Sequence, residues 1–67
     1  MSFLRFVRAC RKYGFSFDLN TYSNHLTLVC RANNTYENIT VESGYLDFNK
    51  AFKEAIYKMK EYRKNRK

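Results

Sequence analysis

The side chains that could support catalysis are few and lie far apart in the chain. There is one histidine, His25, and two cysteines, Cys10 and Cys30, with six carboxylates in 67 residues. No serine, threonine or cysteine stands in a motif that predicts an activated nucleophile, and no glycine-rich phosphate loop is present. The two cysteines fall at apolar positions without metal-ligand spacing, which predicts inert thiols and no zinc. The sequence therefore predicts no catalytic residue, metal site, cofactor or small-molecule substrate.

The strongest chemical signal is positive charge. Thirteen Lys and Arg against six Asp and Glu give a net charge of +7. Twelve of the thirteen cations lie within residues 1–14 and 50–67, whereas residues 15–49 hold one cation and four carboxylates. Such a surface is typical of nucleic-acid binding, because cations that neutralise phosphates release condensed counterions. The candidate phosphate-binding residues are Arg5, Arg8, Arg11, Lys12, His25, Lys50, Lys53, Lys58, Lys60, Arg63 and Lys64.

Each candidate also has a simpler interpretation. Lysine-rich helix faces are ordinary solvated surface, and Glu54 and Lys58 have the spacing of an i,i+4 helix pair. A lone loop histidine such as His25 is usually only solvated. Tyr22 and Tyr57 point away from the predicted core and could stack on bases, although tyrosines also serve as boundary residues of a core. The hypothesis therefore depends on the segregation of the cations and not on any single one.

Two amphipathic helices are predicted to carry the cations. In residues 3–13 the apolar residues recur at helical spacing, on a face opposite the arginines. This first apolar stripe consists of Phe3, Val7 and Cys10, widened by Leu4 and Phe6. Gly14 follows where a helix C-cap needs positive φ. Asp47 is a predicted N-cap for a second helix. The stripe of that helix consists of Phe48, Ala51, Phe52, Ala55, Ile56 and Met59, and residues 62–67 are predicted to fray as a basic tail.

Between the helices the hydrophobic period changes to two, which is typical of half-buried strands. A first strand is predicted from Phe15, followed by a polar turn over residues 21–25 and a second strand over residues 26–32. Asn33-Asn34 is predicted to form a tight turn, since asparagine tolerates the left-handed backbone. A third strand is predicted over residues 36–43.

These elements predict a single α+β domain over residues 1–67. Its architecture is a two-layer αβββα arrangement, with a three-stranded antiparallel sheet and two helices on one face. The other sheet face should be wet; it carries Asp18, Asn20, Thr27, Arg31, Asn38, Thr40 and Glu42. Arginines interrupt the apolar N-terminus before a signal sequence or membrane span can develop, so we expect a cytoplasmic protein that does not bind membranes.

The order helix, three antiparallel strands, helix in a short basic chain resembles the double-stranded-RNA-binding-domain family over nearly the whole length. The resemblance implies that the first helix and the loop between the first two strands enter successive minor grooves, while the start of the last helix meets the phosphates between them. The corresponding residues here are Arg5, Arg8, Lys12, His25, Lys50 and Lys53.

A second resemblance is local. Residues 23–28 (SNHLTL), 31–34 (RANN) and 41–43 (VES) are similar to the central sheet of small prophage anti-CRISPR proteins that block Cas9, whose element order is the same. This resemblance implies a phage-encoded protein that binds and inhibits a host machine in the host cytoplasm. Two hypotheses follow. One is a nucleic-acid-binding accessory protein of a phage or mobile element, acting on DNA or RNA, and the other is an inhibitor or adaptor that docks on an acidic host protein.

Overall fold

The chain forms two helices and three strands in the order α1 (Ser2–Tyr13), β1 (Phe15–Tyr22), β2 (His25–Ala32), β3 (Asn38–Ser43) and α2 (Phe48–Asn65). This computed structural model describes residues 2–33, 35–44 and 46–65. The strands pair antiparallel in the order β1-β2-β3, and the two helices pack on one sheet face and against each other. The predicted α+β class and two-layer architecture are confirmed.

The core between the two layers is built around packed phenylalanine rings, one pair stacked and one pair edge-on. Phe6 of α1 is fully buried, and its ring centroid lies 4.9 Å from both Phe17 of β1 and Phe52 of α2. Leu26 and Leu28 of β2 are also fully buried beneath the helices. Burial of each such side chain stabilises the folded state by about 1.5–3 kcal/mol, so a few large apolar residues can stabilise a small domain.

The buried stripe of α1 is rotated from the predicted one. Phe6, Ala9 and Cys10 are buried, whereas Phe3 is 46% exposed and Val7 is only partly buried. The reason is that α1 packs against α2 as well as against the sheet, so its buried arc must face both neighbours.

The turn between β1 and β2 contains only Ser23 and Asn24. Their φ angles are 46° and 66°, the left-handed values that primed two-residue hairpin turns require. The predicted turn over residues 21–25 was too long, because Tyr22 pairs with His25 and extends both strands. Ser23-Asn24 is thus the turn that closes a hairpin directly, whereas after β2 the Thr35 amide donates to the Ala32 carbonyl at 3.3 Å, the hydrogen bond of a β-turn, but β3 begins only at Asn38.

The connection between β2 and β3 is longer than the predicted tight turn. Its ends are joined by the Ala32 amide, which donates to the Glu37 carbonyl at 3.0 Å, and β3 begins at Asn38 instead of residue 36. The Asn33 amide donates to the Gly14 carbonyl at 2.9 Å, so this asparagine ties the loop to the end of α1. Asn34 lies outside the described residues.

Both ends of α2 are held by side-chain contacts. Asp47 Oδ1 accepts a hydrogen bond from the Lys50 amide at 3.1 Å, which confirms the predicted N-cap. At the other end, Tyr62 packs edge-on against Phe15, with ring centroids 5.5 Å apart, and donates to Glu37 Oε1. The predicted fraying from residue 62 is therefore wrong through residue 65, where the chain is helical. Residues 66–67 of the predicted tail lie outside the described residues.

Candidate nucleic-acid interface

The two helices run in the same direction and leave a groove between them on the side away from the sheet. Near their starts the rings of Phe3 and Phe52 lie 5.6 Å apart, and near their ends Arg63 bonds to Tyr13. The groove has a volume of about 260 Å³. We call it the helix groove; it is lined by Arg5, Arg8, Ala9, Lys12, Tyr13, Ile56 and Lys60.

The helix groove is positive because three cations share one side of α1. Positions 5, 8 and 12 are spaced by three and four residues, so Arg5, Arg8 and Lys12 lie above one another and face α2, where Lys60 joins them. No carboxylate lines this groove, and none of the four cations forms an ion pair within the described ranges. Four predicted residues are thus brought together on one concave surface.

A second row of cations continues along the outer surface of α2. Lys53, Lys60 and Lys64 are exposed and lie on one stripe of the helix together with Tyr57, since the spacings are four, three and four residues. Tyr57 is 63% exposed, which agrees with its prediction as an outward-facing residue. The stripe adjoins the helix groove through Lys60.

Three further predicted cations lie outside the helix groove. Lys58 faces the β3 side of α2, where its Nζ is 3.4 Å from Glu54 Oε2 and donates to the Thr40 carbonyl, also at 3.4 Å. Lys50 lies near the end of β3 in a cleft that Glu54 also lines. Arg11 is exposed but lies about 100° around α1 from Lys12, outside the helix groove.

The side chain of Arg63 makes intramolecular contacts at the end of α1. Its Nε donates to the Tyr13 carbonyl at 2.7 Å, at the end of α1. Its guanidinium carbon lies 5.5 Å from the centroid of Phe15 and 5.2 Å from that of Tyr62. The adjoining Gly14 has a φ of 77°, as the predicted C-cap requires. Arg63 therefore caps α1, a role that its position in a basic sequence run did not reveal.

His25 is separated from the helices by the sheet. Its neighbour Leu26 is fully buried under the helices, so the alternation of the strand turns His25 to the open face, beside Tyr22. Its predicted position within a turn is wrong, since it is the first residue of β2. The α1 cations and His25 therefore lie on opposite faces of the molecule.

The remaining reactive groups are buried or dispersed. Burial raises the pKa of Cys10 to about 11 and, together with the nearby Cys10, that of Cys30 to about 12, which keeps both thiols protonated. Within the described part of the chain, no three His, Cys, Asp or Glu side chains are grouped to hold a metal ion. Neither helix, over its described residues, combines the length and the hydropathy needed to span a membrane.

Comparison of the chain with protein-family models, with curated proteins and with solved structures gave no match. The candidate interface therefore stands on its geometry. Sequence reasoning found the cations of the helix groove and placed Ile56 on the apolar stripe of α2, but it did not predict that Ala9 and Tyr13 line the groove. The sequence signal for the Ala9 contribution was a small residue between the arginines of α1.

Proposed function

We propose that this protein binds the sugar–phosphate backbone of nucleic acid in the helix groove, with little dependence on sequence, as an accessory protein of a phage or mobile element in the host cytoplasm. The observation that carries the proposal is the set of four cations on one concave surface without a carboxylate among them. Phosphate contacts of this kind position a protein on a nucleic acid without reading its bases.

The dimensions of the groove suit a short run of phosphates. Arg5 and Lys12 are seven residues apart, which corresponds to about 10.5 Å along α1. If all four groove cations neutralise phosphates, the logarithm of the binding constant should fall against the logarithm of salt with a slope of about −3.6 for duplex DNA and about −2.8 for a single strand. Raising salt from about 50 to about 200 mM should then weaken binding by about 50- to 150-fold.

The test compares two variants with the same net charge. Arg5→Gln, Arg8→Gln and Lys60→Gln remove three groove cations, whereas Arg11→Gln, Arg31→Gln and Lys58→Gln remove three cations from outside the groove. Each change lowers the net charge from +7 by three, to +4. Fluorescence anisotropy with labelled duplexes and single strands, measured at several salt concentrations, gives the affinities and slopes.

We expect the groove variant to lose most of its affinity and its slope to approach about −1, while the control stays within a few-fold of the unmodified protein near about 150 mM salt, where distant charges are screened. Equal losses of affinity in the two variants would mean that binding depends on the net charge of the protein and not on the helix groove. No salt-dependent binding by the unmodified protein at low salt would refute the proposal.

The second candidate is an inhibitor or adaptor that docks on a host protein, through the open sheet face or, where that protein is acidic, through the basic helices. The observation that favours it is the open sheet face, which no element of the described chain covers and where Tyr22 is 81% exposed. This function predicts a stoichiometric complex with an interface of about 1,200–2,000 Å² in total. Loss of that complex on Tyr22→Ala, with nucleic-acid affinity absent throughout, would favour it over the helix groove.

A further inference from the structure

Tyr57 forms one wall of a shallow depression on the outer side of α2. The depression has a volume of about 520 Å³. Its other walls combine cations with groups that can donate or accept hydrogen bonds: Asp47, Asn49, Lys50, Lys53 and Glu54. The tyrosine ring is the only aromatic group among the described residues that line it.

Cations lie on either side of the ring along the helix. Lys53 precedes Tyr57 by one turn, about 6 Å along the axis, and Lys60 follows it by about 4.5 Å. Lys60 also lines the helix groove, so a backbone that leaves the groove passes beside the ring. Phosphates held at Lys53 and Lys60 would place the intervening base over Tyr57.

The polar walls of the depression suit the edge of a base. The Asn49 side chain offers a donor and an acceptor, and a carboxylate oxygen accepts from an exocyclic amino group. The two carboxylates are partly compensated, because Asp47 accepts from the Lys50 amide and Glu54 pairs with Lys58. Their charge therefore opposes a phosphate in the depression less than two free carboxylates would.

We infer that the Tyr57 depression is a stacking subsite for an unpaired nucleobase, and that the preferred ligand is a single strand whose backbone lies in the helix groove. The inference rests on the proposed function. In a duplex the bases stack on each other, so no base face is accessible to the Tyr57 ring. In a single strand any base can stack on the ring, because every base has a π-face.

The test uses two substitutions at one exposed position. Tyr57→Leu keeps an apolar side chain but removes the stacking ring, and Tyr57→Phe keeps the ring. With a labelled thymine single strand, we expect Tyr57→Leu to weaken binding by about tenfold and Tyr57→Phe to stay within about twofold, since one base–aromatic stack is being removed or kept. A duplex with the same number of phosphates should bind all three proteins equally. Thermal unfolding of each protein checks that the fold is retained.

A strand of abasic sites provides a second readout, because it has the phosphates without the bases. It should bind the unmodified protein and Tyr57→Leu equally, at the level that Tyr57→Leu shows on the thymine strand. Equal affinity of Tyr57→Leu and the unmodified protein for the thymine strand would overturn the inference, as would an equal loss on the duplex. If the groove variant still loses affinity in those cases, the proposed function stands without the base subsite. Absence of binding to every probe would refute both.

Discussion

Replacing Arg63 tests whether a cation that sequence reasoning assigned to ligand binding instead stabilises the fold. Its hydrogen bond to the Tyr13 carbonyl involves a charged donor, and such bonds contribute about 1.5–3 kcal/mol. Each ring that its guanidinium faces, Phe15 and Tyr62, adds about 0.5–1 kcal/mol at a partly exposed site. These contributions overlap, so we expect Arg63→Ala to lower the free energy of unfolding by about 2–3 kcal/mol.

That loss is large for a domain of this size. A chain of 67 residues has a free energy of unfolding of about 3–10 kcal/mol, and a loss of about 2–3 kcal/mol should lower its melting temperature by about 10–20 °C. Circular dichroism during thermal and urea unfolding measures both quantities. Arg63→Lys should fall between the two proteins, because it keeps the charge but loses the planar group that lies over the rings.

The matched control is the next residue. Lys64 is exposed and forms no described hydrogen bond or ion pair, so Lys64→Ala should change the free energy of unfolding by less than about 0.5 kcal/mol. Below its melting temperature, Arg63→Ala should lose less nucleic-acid affinity than Arg8→Ala, whose side chain lines the helix groove. The reasoning is refuted if Arg63→Ala and Lys64→Ala unfold at the same temperature.

Two further predictions concern stability. Asp47→Ala removes the acceptor of the Lys50 amide and should lower the free energy of unfolding, measured in urea, by about 1 kcal/mol. Asp47→Ser should recover most of this loss, and equal losses in both variants would argue against the cap. Burial raises the pKa of Cys10 to about 11 and of Cys30 to about 12 from 9.0, so above about pH 9 the unfolded chain loses thiol protons first and the free energy of unfolding falls toward pH 12. A Cys10→Ala, Cys30→Ala double variant should show a shallower fall over that range, and an unchanged slope would contradict this assignment.

Elements with one buried face could be predicted because burial imposes a period on the sequence. β2 alternates between buried and partly exposed residues, and its inward face was read directly from that alternation. The stripe of α1 could not be fixed in the same way, since its burial depends on a second neighbour, α2. Whether Phe3 or Ala9 faces inward is decided by helix–helix packing, which leaves no period of its own in one sequence.

A turn was predicted in both hairpins, but the tight two-residue turn was assigned to the second hairpin and forms in the first. Asn33-Asn34 and Ser23-Asn24 both contain asparagine, and local propensity does not distinguish them. The two turns differ in their tertiary contacts, because the Asn33 backbone amide donates to the carbonyl of Gly14, which directly precedes β1. The cations of the candidate site were likewise predicted from the distribution of charge along the sequence. The groove that brings four of them together could not be predicted, because it is formed by the parallel packing of α1 and α2.

The distribution of carboxylates is itself an argument for a polyanionic ligand. Arg8 and Lys12 are like charges at i,i+4 spacing, an arrangement that destabilises a helix by about 0.2–0.5 kcal/mol. A glutamate in either position would relieve this repulsion, and α2 makes such a pair between Glu54 and Lys58 on the side that faces β3. The helix groove has none, so its cations repel one another in the free protein. The arrangement weakens the fold where it would strengthen the binding of phosphates, which is the trade-off expected of a binding surface.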